Sequence, residues 1–161
     1  MPSVGVIGNK GKSVAEVFLR LSQGAADCYL ITDQVVPADN ADLQPVKMDI
    51  IVASEACGVL TSIVPTLGMS DYLIVNSDNT DIFPMLSGNK AKLITYGFNS
   101  RSCITASSMM DEILQVCIQR AFLGINGEEC VPQEFSAQIK HGEDNEDILA
   151  AAAAWAVLGT V

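Results

Sequence analysis

Basic residues are scarce in this sequence. Nine Lys and Arg stand against 19 Asp and Glu, so the formal net charge is −10 at pH 7. Binding to DNA or RNA needs clustered Lys and Arg that neutralise phosphates, and an anionic membrane surface makes a similar demand. We therefore expect no nucleic-acid partner and no membrane partner. A local nucleotide site is still compatible with this charge, because glycine-loop amides and one lysine suffice for it.

Paired metal and redox ligands are also missing. The sequence has one histidine, His141, and none of its five cysteines forms a Cys-x-x-Cys pair. These features argue against a zinc site and favour reduced, mostly buried thiols in a cytoplasmic protein. His141 follows Lys140 in a polar stretch with no obvious Ser or Cys partner, so we expect it at the surface and not in catalysis.

Long apolar runs are absent as well. The longest, residues 148–157, is rich in alanine and shorter than the roughly 20 residues of a membrane-spanning helix. It predicts a buried helix, with acidic residues 143–147 at its N-terminus and Gly159 at its end. No charged-then-apolar leader precedes the first strand. Since 49% of the residues are hydrophobic, we expect one packed domain over residues 1–161.

The most informative feature that is present lies near the N-terminus, where Gly8-Asn9-Lys10-Gly11-Lys12-Ser13 joins two regular patterns. An apolar run at residues 4–7 predicts a strand, and a helical face follows at Val14, Val17, Phe18 and Leu21. Loop amides and a helix N-terminus bind phosphate, while a lysine contacts the outer phosphates and a serine hydroxyl binds Mg²⁺. A plain turn is the alternative, because the full P-loop pattern has a glycine where Val6 stands.

Further apolar runs indicate a parallel sheet. They lie at residues 28–32, 48–53, 72–75 and 93–96, with helix-sized segments at 56–64 and 80–86 and a polar loop at 33–45. Continuous runs of this length are typical of strands buried on both faces. We predict an α/β fold with a mostly parallel, P-loop-type sheet flanked by helices.

The pattern changes beyond about residue 100. Residues 113–122 alternate in part, the turn pair Asn126-Gly127 follows, and a second run covers 130–139. This predicts a small antiparallel β extension. A helix over 112–121 is the open alternative.

Four segments resemble the central, ATP-binding domain of the Mur ligases and folylpolyglutamate synthase. They are the Gly8–Ser13 loop, the strand and polar turn at 72–79, the Leu-Ile-Thr-Tyr-Gly-Phe-Asn segment at 93–99, and Gly142–Asn145 with the alanine-rich helix after it. They follow the family's order along the whole chain. In the family, ATP phosphorylates a carboxylate, and an amine then displaces the phosphate to form an amide.

The resemblance implies ATP and Mg²⁺ as cofactors. It assigns the nucleotide to Gly8, Asn9, Lys10, Gly11, Lys12, Ser13 and Asn145, and the Mg²⁺ to Ser13 and Glu55. The alternative for Glu55 is a solvated residue at a helix start. The polar residues Asn76, Asp78, Asn79 and Asp81 either line the same crevice or form a helix-capping turn.

The sequence also departs from the family. We find no Thr-Asn…Asp-His motif and no candidate for its carbamylated lysine, and Asp144 stands where the family has histidine. The family's flanking domains are expected to be absent, and no residue is assigned to catalysis. The resemblance then predicts that this chain is the ATP-binding part of an amide-forming ligase. A protein with the missing domains, or self-association, would complete that ligase. A non-catalytic binding module and a simple nucleotide hydrolase are the alternatives.

Overall fold

Parallel strands form the centre of the computed structural model, which describes residues 1–31, 48–159 and 161. Within those residues, six strands run parallel in the spatial order β2-β1-β3-β4-β5-β6. They are β1 (Ser3–Ile7), β2 (Asp27–Ile31), β3 (Ile50–Ala53), β4 (Tyr72–Asn76), β5 (Lys92–Tyr96) and β6 (Ile104–Met110). The five predicted apolar runs correspond to β1 through β5. The polar loop predicted at 33–45 lies outside the described residues.

An antiparallel extension completes the sheet beyond β6. Strand β7 (Ile113–Ile118) pairs with β6, and β10 (Gln133–Gln138) pairs with β7. Between them, β8 (Phe122–Leu123) and β9 (Glu129–Cys130) form a small ribbon around the Asn126-Gly127 turn. The predicted antiparallel extension is confirmed, and the alternative of a helix over 112–121 is wrong.

Helices cover both faces of the sheet. Helices α1 (Gly11–Ser22) and α3 (Asn145–Leu158) pack together on one face, whereas α2 (Gly58–Ile63) and a 3-10 segment at Thr80–Leu86 cover the other. The segment predicted as a helix at 80–86 is a 3-10 helix that contains Pro84. The α/β fold with a mostly parallel sheet is confirmed.

The burial of the central strands explains their continuous apolar sequences. In β1, Val4 and Val6 face α1 and α3, whereas Ile7 faces α2. All residues of β1, β3 and β4 are buried, as expected for parallel strands covered on both sides.

Helix α3 is buried on nearly all sides, as its composition predicted. Its central alanines, Ala150 to Ala153, are fully buried between α1 and the sheet. Gly159 ends it in the left-handed conformation, with φ of 78°. No described helix is long and apolar enough to cross a membrane. All five cysteines are free thiols; Cys103 and Cys130 are buried and the other three half-buried.

Candidate functional site

The Gly8–Ser13 loop lies where β1 ends and α1 begins, as predicted. Gly8 has φ of +124°, and a Cβ there would lie 2.7 Å from Ser54 Oγ, so only glycine fits without strain. The Gly11 N–H donates to the Gly8 carbonyl at 3.0 Å, and the Val14 N–H donates to the Lys10 carbonyl at 3.1 Å. The loop is thus a tight turn that leads directly into the helix.

The backbone donors of the loop fall into two groups. The Asn9 N–H donates to Glu55 Oε1, and the Gly11 N–H is used inside the turn. The amides of Lys10, Lys12 and Ser13 have no backbone acceptor in the described part of the chain, as is usual at a helix start. The first turn of α1 carries no acidic residue and no side-chain cap. Three amides are therefore available to an anion.

The two lysines of the loop differ in their surroundings. Lys10 Nζ lies 2.7 Å from Asp144 Oδ2, and this contact raises the pKa of Lys10 and lowers that of Asp144. Lys12 is exposed, and none of the described residues forms an ion pair or hydrogen bond with its side chain. Of the two loop lysines, Lys12 is therefore the one that can reach an incoming phosphate without breaking a contact with a described residue.

The ion pair between Lys10 and Asp144 shows that the start of α3 lies beside this loop. Asp144 caps the helix by accepting the Glu146 N–H at 3.0 Å. Asn145, the nucleotide residue implied by the resemblance, is adjacent, but its amide nitrogen lies 2.9 Å from Met109 Sδ at the end of β6. The structure thus brings Asn145 to the same edge as the loop, with its side chain turned toward β6.

The cap at Asp144 leads to a stability prediction. Asp144→Ala removes the cap and the ion pair and should cost about 1–2 kcal/mol of unfolding free energy. Asp144→Asn keeps a capping oxygen and loses only the exposed pair, which should cost less than about 1 kcal/mol. Urea unfolding of both variants checks this. Equal losses in the two variants would show that the cap is not the larger contribution.

Glu55 also lies against the loop. It follows β3, is half-buried, and its Oε1 accepts the Asn9 N–H. A cavity of about 200 Å³ is lined by Glu55 together with Ile7, Gly8, Asn9, Ile31, Cys57 and Val59. Ser13, its predicted partner for Mg²⁺, is exposed in the first turn of α1. Across residues 1–31, 48–159 and 161, no three His, Cys, Asp or Glu side chains are grouped to hold a metal ion.

The polar residues at the end of β4 and in the turn after it make several different contacts. The Asn76 amide donates to Glu146 Oε1 and so joins β4 to α3. Asp78 accepts the Phe98 N–H at 2.7 Å and the Asn99 amide at 2.6 Å, which holds the turn after β5. The side chain of Asn79 accepts the Asp81 N–H at 3.3 Å, and this is the predicted capping turn.

Two buried groups near the start of α3, the Asp147 carboxyl and the Tyr96 hydroxyl, were not predicted as part of the site. Asp147 is 5% exposed. Desolvation, with the nearby charges of Asp144 and Glu146, raises its pKa to about 6, while Lys10 opposes the shift. The Tyr96 hydroxyl is fully buried and has no hydrogen-bond partner among the described residues, and burial raises its pKa. The sequence predicts that residues 143–147 cap the helix, and in the structure Asp144 is the capping residue.

A larger concavity, about 960 Å³, lies on the antiparallel extension and contains none of the loop residues. It is lined by Ser108, Met110, Asp111, Glu112, Ile113, Gln115, Ser136 and Gln138. Since these include two acids and no Lys or Arg, this concavity does not suit a phosphate.

The predicted resemblance is confirmed at the level of the fold. The structure is similar to UDP-N-acetylmuramoyl-L-alanyl-D-glutamate–2,6-diaminopimelate ligase, with a TM-score of 0.68, 12% identity, and coverage of 100% of this chain and 44% of the ligase. It is also similar to folylpolyglutamate synthetase from Lactobacillus casei, with a TM-score of 0.56, 8% identity, and coverage of 98% and 57%. The chain thus spans about half the length of these enzymes. No family profile and no curated protein matches the sequence.

Proposed function

We propose that residues 1–161 form one nucleotide-binding domain with ATP and Mg²⁺ as its ligands at the Gly8–Ser13 loop. The observation that carries this proposal is that three loop amides and the Lys12 ammonium lie together without partners among residues 1–31, 48–159 and 161. They lie at the carboxyl edge of a parallel sheet, where α/β folds bind ligands. The likeness to two ligases of the Mur and folylpolyglutamate types supports the same reading.

The residues present fit a phosphate and supply hard oxygen donors for Mg²⁺. The amides of Lys10, Lys12 and Ser13 would hold phosphate oxygens, and the Lys12 ammonium would neutralise the outer phosphates. The Ser13 hydroxyl and the Glu55 carboxylate are the donors that Mg²⁺ prefers. Asn145 at the start of α3 would contact the nucleotide. Bound ATP would supply a transferable phosphoryl group.

The direct test is an equilibrium titration by calorimetry, with Mg-ATP and with ATP in EDTA. Saturable binding of Mg-ATP supports the proposal. No heat of binding at millimolar Mg-ATP would contradict it.

The wider function that we propose is participation in an ATP-dependent ligase that joins a carboxylate to an amine. The two similar enzymes are about twice as long as this chain. An amide-forming ligase needs surfaces that position its substrates and exclude water from a reacting phosphate. A second protein with the remaining ligase domains, or self-association, would supply those surfaces here.

The 161-residue chain alone should therefore form no amide bond. The expected result is no product by mass spectrometry from candidate carboxylates, amino acids and Mg-ATP. A full-length ligase of this fold, assayed with its own substrates, serves as the positive control. Product that depends on ATP and disappears in Lys12→Ala would overturn this expectation.

A further inference from the structure

The carboxylate of Glu55 occupies a backbone donor of the candidate phosphate loop. Its Oε1 accepts the Asn9 N–H. The same oxygen would lie 3.2 Å from a Cβ built on Gly8, so it packs directly against the turn. A fixed negative charge thus lies where the loop presents its donors, and it repels a second anion that approaches them.

The position of Glu55 follows from the sheet register. Strands β1 and β3 pair in parallel with Ile7 opposite Ala53, and the Ser54 N–H lies 3.5 Å from the Ile7 carbonyl. The two paired strands end at the same level of the sheet. Glu55, which follows β3, therefore lies beside the loop that follows β1. The missing side chain of Gly8 leaves the space for its carboxylate.

The charges of the described residues around Glu55 do not cancel this carboxylate. Lys10, the nearest alternative cation in the loop, is held by Asp144, and Asp147 and Glu146 add negative potential at its ammonium. Of the two loop lysines, Lys12 alone has no partner in the described part of the chain and is available to offset an incoming polyphosphate. A divalent cation changes this balance, because it can bind the carboxylate and the phosphates together.

We propose that Glu55 is a specificity-determining residue that excludes free polyphosphate from the loop and makes nucleotide binding conditional on a divalent cation. The proposal rests on the nucleotide site proposed above. Without the cation, the carboxylate keeps the Asn9 amide and repels phosphate. With the cation, the carboxylate leaves the amide and becomes a metal ligand.

The test is calorimetric titration of wild type, Glu55→Gln and Glu55→Ala with ATP in EDTA and with Mg-ATP. We expect metal-free ATP to bind Glu55→Gln about tenfold more tightly than wild type, because one repulsive charge is removed. Glu55→Ala should bind metal-free ATP at least as tightly as Glu55→Gln does, since alanine also releases the Asn9 amide. Both variants should gain less affinity from Mg²⁺ than wild type gains.

Glu134→Gln is the matched control, since it removes one exposed carboxylate on β10, at the opposite end of the sheet from the loop strands. It should bind metal-free ATP as wild type does. Unchanged or weaker metal-free binding in both Glu55 variants would overturn the proposal, and so would an undiminished gain from Mg²⁺. Failure of wild type to bind Mg-ATP would instead contradict the proposed function. Far-UV circular dichroism verifies the fold of each variant.

Discussion

Replacing Lys12 by alanine is expected to abolish the thermal stabilisation that Mg-ATP gives the protein. A ligand at about one hundred times its dissociation constant adds roughly 2.7 kcal/mol of stability, which raises the melting temperature of a chain of this size by about 5–10 °C. Lys12 carries the one unpaired ammonium on the described part of the loop. Its loss removes the ammonium that would contact the outer phosphates, and Lys10 cannot replace it without leaving Asp144. Melting temperatures with and without millimolar Mg-ATP measure the effect.

Lys90→Ala is the control for this experiment, because it removes an exposed lysine from the turn before β5 and leaves the loop intact. It should retain the full shift in melting temperature. An equal shift in wild type and Lys12→Ala would show that nucleotide binds elsewhere or without this ammonium.

Replacing Asp147 by asparagine is expected to stabilise the protein at neutral pH and to flatten its pH dependence. Burial raises the pKa of Asp147 from 3.8 to about 6 in the folded state. The contribution of Asp147 to the free energy of unfolding is therefore most favourable below pH 3.8, where the carboxyl is protonated in both states. This contribution is lost as the pH rises through about 6. Two pKa units correspond to about 3 kcal/mol, as an upper bound. Asparagine resembles the protonated acid and avoids this loss.

Urea unfolding between pH 4 and 8 tests the expectation. Wild type should lose stability relative to Asp147→Asn as pH rises, with most of the difference developing between pH 4 and 6. Asp81→Asn, which neutralises an exposed aspartate, should keep the slope of wild type. Parallel curves for wild type and Asp147→Asn would contradict the buried, destabilising carboxylate.

The parallel sheet was predictable because its strands are buried on both faces and read as continuous apolar runs. Strand β6 was missed for the opposite reason. Its residues Ile104–Met110 include Thr105, Ser107 and Ser108, and most of them are half-buried or exposed. It joins β5 through the single register pair Tyr96 and Ile104. A half-polar strand of this kind has little periodicity by which a sequence reveals it.

The loop at Gly8–Ser13 was predictable because strand, glycines, lysine and helix are adjacent in sequence. The contacts that define its surroundings are not local. Glu55 reaches Asn9 across 46 residues, and Asp144 reaches Lys10 across 134 residues. These pairs depend on sheet register and on the packing of α1 against α3. The burial of Asp147 has the same origin, since nothing in the acidic run itself distinguishes it from an exposed cap.

A crystal structure of the protein with Mg²⁺ and a non-hydrolysable ATP analogue tests the proposed site most directly. We predict phosphate oxygens on the amides of Lys10, Lys12 and Ser13, with Lys12 Nζ at the outer phosphates. The Glu55 carboxylate should have left the Asn9 amide for the metal. A nucleotide bound elsewhere, with Glu55 still on the Asn9 amide, would contradict the proposal that this loop is a nucleotide site.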